Sequence, residues 1–209
     1  MSSFGPEDFL RETAVSRETL ARLQTFAALL AKWQKAINLV SPATLPHLWS
    51  RHFLDSAQLL PLAPPDAKVW LDVGSGPGFP GLVLAILGVP SVHLVESDQR
   101  KSAFQREVAR ATGVANATFH VKRIEDLRQE EVGEAPDVIT ARALAPPEKV
   151  LSWTAHLRGP RTTYLLPIGR SGGGALTGIA ESPNIPPEEL PSRSDPDSRI
   201  LRIRGFSRD

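Results

Sequence analysis

Apolar positions repeat along this chain with two different periods. From Ser16 to about Lys35 they recur three or four residues apart, at Leu20, Leu23, Ala27 and Leu30, which predicts a helix capped by the Ser16 hydroxyl. A further helix is expected from Pro46 to about Leu60. Beyond that the period shortens. β-favouring runs at "VWLDV" (69–73), "VHLVE" (92–96), "ATFHV" (117–121), "PDVITA" (136–141) and "RTTYLLPI" (161–168) alternate with helical stretches such as "DQRKSAFQREVARATG" (98–113) and "PPEKVLSWTAHL" (146–157). Strand then helix, repeated, builds a parallel sheet with helices on both faces.

The stretch 169–198 carries "GGG" and scattered prolines and reads as a mobile loop, and "SRILRIRGF" (198–206) as a last strand paired antiparallel at the sheet edge. The expected fold is therefore α/β and Rossmann-like, a mostly parallel sheet with an antiparallel last strand. An N-terminal helical extension over 1–65 is expected to pack on a core domain spanning 66–209.

Composition narrows the picture without naming a partner. The 209 residues hold 24 basic and 23 acidic side chains, so a polyanion would have to be met by a local patch rather than by bulk charge. Cysteine is absent, which removes disulfides, thiolate metal sites and cysteine nucleophiles together. No metal site is expected. "MSSFGPEDFLRE" lacks the basic start and apolar core of an export signal, and no apolar run approaches the ~18 residues that span a bilayer. A cytoplasmic, monomeric protein with no membrane contact is the expectation.

The densest signal is "VWLDVGSGPGFPGLVLAILG" (69–88), where glycines at 74, 76, 78 and 81 separate a strand from an apolar helix beginning near Pro80. Gly76, Gly78 and Gly81 fit G-x-G-x-x-G at the carboxyl end of a first strand, where open α/β sheets bind ligands. Glu96 ends the second strand 20 residues after Gly76, the spacing from which a carboxylate accepts from both hydroxyls of a ribose. Pro77, Phe79 and Pro80 crowd the turn where a pyrophosphate would need free amides, and Asp72 before the first glycine suits a cationic ligand. S-adenosylmethionine has the ribose, a sulfonium and an ammonium. Its adenine is expected after the third strand, with Ile124 against the ring and Glu125 near the amino edge.

"NLVS" (38–41), "RHFLDS" (51–56), "LDVGSGPGFPG" (71–81), "RIEDL" (123–127) and "TARAL" (140–144), in that order, resemble the glucose-inhibited division protein B family, guanine-N7 methyltransferases of small-subunit ribosomal RNA. The resemblance runs over about residues 16–168. It implies a class I methyltransferase fold, S-adenosylmethionine as cofactor, and ribosomal RNA or the small ribosomal subunit as partner. By position it assigns Gly74, Phe79, Ile124, Glu125 and Arg142 to the cofactor, beside Gly76 and Glu96. Asn38, Arg51, His52 and Asp55 match motif residues on the RNA-facing side, and Asn38, Arg51 and His52 with Arg142 supply the candidate catalytic set. The chain departs from the family pattern at "YLLPIGR", where Pro167 and Ile168 precede Gly169 and Arg170 is the nearest cation, and in the tail that follows.

Guanine N7 carries a lone pair and no proton, so methylating it needs alignment rather than a general base. RNA contact calls for a basic surface, for which Lys101, Arg106, Arg110, Lys122, Arg123, Arg199, Arg202 and Arg204 are candidates beside Arg51 and His52. Plainer readings compete: Arg51 with Asp55 as a helix-surface ion pair, Arg142 with Glu148 as a helix-start ion pair, and Trp33 and Trp49 as core. Two other functions also remain open. A nicotinamide-dependent oxidoreductase shares the glycines and Glu96 but lacks a catalytic Tyr-Lys or His pair, and a non-catalytic RNA-binding module could use the same fold.

Overall fold

The computed structural model describes residues 4–169 and 184–206. Two helices open the chain. The first, α1 (Pro6–Thr13), places Pro at its first position and the Asp8 carboxylate on the Gly5 amide at 2.8 Å. Both signals lie in "GPEDFLRE", a segment too short for apolar spacing alone to mark a helix. The second, α2 (Arg17–Trp33), is capped by Ser16, whose hydroxyl accepts from the Thr19 amide at 3.0 Å. Its buried stripe is Leu20, Leu23, Phe26 and Leu30; Phe26 rather than Ala27 carries the third turn into the core.

The helix expected over 46–60 is instead a chain of short turns. A 3₁₀ turn (Pro42–His47) leads into a π-helical turn (Trp49–Leu54), a single turn of α-helix, α3 (Asp55–Ala57), and a 3₁₀ turn (Leu60–Leu62). Pro46 has no N–H to give to an α-helical ladder, which accounts for the tighter first turn. The π turn lies on Arg51 and His52, and such turns concentrate at functional sites.

From there strands and helices alternate as expected: β1 (Val69–Val73), α4 (Gly81–Ile86), β2 (Ser91–Val95), α5 (Gln99–Thr112), β3 (Ala117–His120), a 3₁₀ turn (Ile124–Asp126), α6 (Gln129–Val132), β4 (Val138–Thr140), α7 (Pro147–Trp153) and β5 (Thr163–Ile168). Asp98 caps α5 through the amides of Arg100 and Lys101, and Gly113 closes it at φ +66°. Strand order is β3-β2-β1-β4-β5, all parallel. The reversal of order between β1 and β4 opens a crevice above their carboxyl ends.

Two further strands complete the sheet, β6 (Glu188–Pro191) and β7 (Arg199–Ile203), each antiparallel to its neighbour, in the order β5-β7-β6. The last strand is therefore not the edge, and part of the stretch expected to be a mobile loop is a strand. "EELP" has weak β propensity, and proline is tolerated there because an edge strand leaves one row of backbone groups unpaired. The rest of that expectation, residues 170–183 with Arg170, lies outside the described residues.

Alternate residues of β1 serve opposite faces of the sheet. Trp70 joins the core under α2, α4 and α5, whereas Leu71 and Val73 join the core shared with α6, α7, Tyr164 and Ile203. On the first face Phe79 stacks on Phe26 at 4.9 Å and meets Phe53 edge-on at 5.3 Å, so the glycine loop is anchored to the N-terminal helices. Trp33 and Trp49 are only partly buried, packed at its margin against Phe104 and Phe53.

Candidate active site

Four glycines in one turn turn out to have two different reasons. A Cβ on Gly74 would lie 2.6 Å from Leu144, one on Gly78 2.5 Å from Leu82, and one on Gly81 2.7 Å from the Asp72 carboxylate. Those three are packing glycines. A Cβ on Gly76 would meet nothing nearer than 3.9 Å and would point into open space. Gly76 is thus the place where a ligand can approach the backbone.

The Gly76 peptide is fixed from both sides. Its N–H donates to Glu96 Oε2 at 2.8 Å and its carbonyl accepts from Gln105 Nε2 at 2.7 Å. The other Glu96 oxygen accepts from the Asp98 amide at 2.8 Å. Glu96 is therefore placed at the crevice by the loop it organises, with carboxylate lone pairs left over beyond these two bonds.

Asp72 does not face a cationic ligand. It is 1 % exposed, and its carboxylate accepts from the Gly81 amide at 2.9 Å and the Thr140 hydroxyl at 3.1 Å, joining β1 to α4 and β4. Burial raises its pKa to about 7 against the pull of these hydrogen bonds.

Across the crevice, Arg142 follows β4 and turns toward the π turn. Its Nη1 donates to the Arg51 carbonyl at 2.9 Å and reaches Asp55 at 3.5 Å, while Nη2 lies 2.6 Å from His52 Nδ1. The guanidinium carbon sits 5.4 Å from the centre of the Phe79 ring. A guanidinium only donates, so Nδ1 of His52 is the acceptor and the imidazole proton is on Nε2, which donates to Thr44 Oγ1 at 2.9 Å. Burial, then the nearby Arg142 and Arg51 charges, lowers the His52 pKa to about 3. His52 is a neutral prop for Arg142.

Neither expected local ion pair forms. Arg142 bonds Asp55 rather than Glu148, and Arg51 pairs with Asp195 rather than Asp55. The π turn takes positions four apart out of register, and both partners arrive from distant segments. Ala143 follows in the left-handed region at φ +52°, and the half-exposed Leu144 beside it covers Gly74.

These groups line one cavity of about 810 Å³. One half is built by the loop 74–79, by Glu96 and Lys101, and by Ile124 and Glu125. The other is built by Thr44, Arg51, His52, Asp55 and Arg142, with Leu144, Trp153 and Ser194. Every sequence-derived candidate in the site is on this lining except Asn38, which is exposed and lies just outside it, next to Leu39. Leu144 closes the "TARAL" motif, whereas Trp153, Thr44 and Ser194 had no sequence signal that set them apart. Among the basic candidates, Lys101, Lys122 and Arg123 line the cavity, with Lys122 paired to Glu131 and Arg123 to Glu125, while Arg110 pairs with Glu107 and Arg202 and Arg204 pair with Glu188.

The sheet order, the glycine turn after β1 and the acid after β2 define a Rossmann-like S-adenosylmethionine-dependent methyltransferase fold. An S-adenosylmethionine-dependent methyltransferase from Aquifex aeolicus superposes with a TM-score of 0.58 at 14% identity, over 83% of this chain and 97% of that one.

A sequence profile described as GidB, rRNA small subunit methyltransferase G, matches residues 19–172, and the chain belongs to that family. Proteins named ribosomal RNA small subunit methyltransferase G from Parvibaculum lavamentivorans and Paramagnetospirillum magneticum are 53% and 50% identical, over 96% and 98% of this chain and 89% and 97% of theirs. Similarity over nearly the whole chain means that the tail after Gly169 is not foreign to the family. It also sets aside the nicotinamide reading.

Proposed function

We propose that the chain transfers the methyl group of S-adenosylmethionine to N7 of a guanine in small-subunit ribosomal RNA. The observation that carries this is the division of one cavity between an open glycine backbone beside a ribose-seeking carboxylate and a partly buried pair of arginines.

The residues present fit the cofactor. Gly76 leaves a cradle that a Cβ would enter, Glu96 is set for the ribose hydroxyls, Ile124 supplies an apolar face for adenine, and Glu96, Glu125 and Asp55 put carboxylates near a sulfonium and an ammonium. When bound, the sulfonium supplies an electrophilic methyl group.

What this chain contributes is alignment. Phe79, packed on Phe26 and Phe53, holds the glycine loop, and the Arg142–His52–Thr44 chain holds the wall opposite. No proton has to leave guanine N7, and His52, neutral with both ring nitrogens engaged, is not asked to take one. Trp153 and Leu144 offer apolar surface against which a splayed-out base can rest.

The test is transfer of labelled methyl to purified small-subunit RNA and to 30S particles, with the modified base mapped. Label on a guanine at N7 is the expected result. Cofactor binding with no transfer to either substrate would instead make the chain a non-catalytic RNA-binding module.

A further inference from the structure

The turn between β6 and β7 reaches the target half of the cavity. Asp195 pairs with Arg51, 144 residues earlier in the chain. Ser194 Oγ donates to Asp55 Oδ1 at 2.6 Å, and the other oxygen of Asp55 meets Arg142. Gln58 accepts from the Arg193 amide at 2.7 Å and donates to Ser192 Oγ at 3.1 Å. Each of these contacts joins the turn to the 51–58 wall rather than to its own hairpin.

The Asp195 carboxylate is itself pre-set. Oδ1 accepts from the Asp197 amide at 3.0 Å and Oδ2 from the Ser198 hydroxyl at 3.0 Å, so its direction is fixed by the turn before Arg51 engages it. Arg51 in turn is 40% exposed along its side chain and lines the cavity, with guanidinium donors beyond the one that Asp195 takes. An exposed arginine held by one edge and facing the mouth of a site is arranged to fork onto a phosphate.

We propose that Asp195 is a positioning residue that holds the Arg51 guanidinium to receive an RNA backbone phosphodiester next to the target base. This rests on the RNA-methyltransferase reading above. The C-terminal hairpin is then a working part of the site, and Ser194 steadies Arg142 by the same route through Asp55.

A double-mutant cycle on RNA binding, with methyl transfer measured beside it, decides the matter. Arg51→Ala should weaken binding of small-subunit RNA and lower the slope of log affinity against log salt by about 0.7–0.9, the loss of one phosphate contact. Asp195→Asn should raise the RNA dissociation constant by roughly tenfold, leave cofactor affinity within about twofold, and add nothing further on the Arg51→Ala background. The exchange Arg51→Asp with Asp195→Arg rebuilds an ion pair, so it should recover thermal stability but not RNA affinity. Tighter RNA binding by Asp195→Asn would make Asp195 a shield rather than a support and overturn the proposal. Additive effects, or recovery of RNA affinity in the exchange, would reduce the pair to a structural bridge. The broader reading fails separately, if the wild-type protein transfers no methyl group, because the binding cycle does not depend on turnover.

Discussion

Arg142 and His52 lie 90 residues apart in the chain and meet at 2.6 Å, Nη2 to Nδ1, in a contact that fixes the tautomer of the histidine and the direction of the arginine together. Thr44 receives the remaining imidazole proton, and Phe79 lies beneath the guanidinium. The site's one histidine is thereby removed from acid–base chemistry at neutral pH.

Methyl transfer should accordingly show no inflection near pH 6.5 arising from His52. With its folded pKa lowered to about 3 from 6.5, the unfolded chain takes up the proton first. Its contribution to stability is complete above about pH 6.5 and is lost as pH falls toward 3. His52→Asn keeps an acceptor for Arg142 and removes the titration, so its stability curve should be flatter over that window. A rate inflection near 6.5 that disappears in His52→Asn would return the residue to proton transfer.

Asp72 has the opposite sign. Its folded pKa is raised to about 7 from 3.8, so its contribution is greatest below about pH 4 and declines as pH rises through 7. The stability of Asp72→Asn relative to wild type should therefore improve steadily between pH 4 and 8, as read by melting temperature. A constant difference across that range would mean that Asp72 stays ionised in the folded protein.

The glycines should separate by variant. Gly76→Ala strains a backbone at φ +55° by about 1–2 kcal/mol but meets no atom, so the fold should persist while cofactor affinity drops. Gly81→Ala drives a methyl onto Asp72 and Leu94 and should cost about 1–3 kcal/mol of stability through overpacking. Calorimetry showing unchanged S-adenosylmethionine affinity in Gly76→Ala would remove the loop from the binding site.

Glu96→Gln tests the acid after β2. The amide keeps the shape but has one acceptor oxygen for the Gly76 and Asp98 amides, so one of those bonds is lost and any bond to a ribose weakened, and a loss of about 1.5–3 kcal/mol in cofactor affinity is expected. A change of only a few tenths would show that the carboxylate serves the loop alone.

Arg142→Ala should reduce both transfer and stability, by about 1–3 kcal/mol for the latter, because it leaves His52 Nδ1 an acceptor without a donor, while Asp55 keeps the Ser194 hydroxyl and the Gln58 amide. Lysine at this position should recover little, since one ammonium cannot replace a fork that serves the Arg51 carbonyl, Asp55 and His52 at once. Wild-type rates in Arg142→Ala under single-turnover conditions would show that the cluster is scaffolding only.

The sequence by itself determined the parallel strand–helix order, the glycine turn after β1, the Ser16 cap on α2 and the placing of Glu96, because each depends on local periodicity or on short-range spacing. It also assembled most of the site's members through motif order. What only the tertiary structure decided was who meets whom. Asp72 points into the core because β1 alternates faces, Gly76 is the one of the four loop glycines with open space beside it because Leu144, Leu82 and Asp72 crowd the others, and β6 exists because β7 offers it an open edge. The ion pairs of Arg51 and Arg142 close across 144 and 87 residues, where no periodicity reaches, and a π turn undoes the one local pairing that helical spacing suggested. Charged partners are selected by which segments the sheet brings to the same crevice, and that choice is made only once the chain has folded.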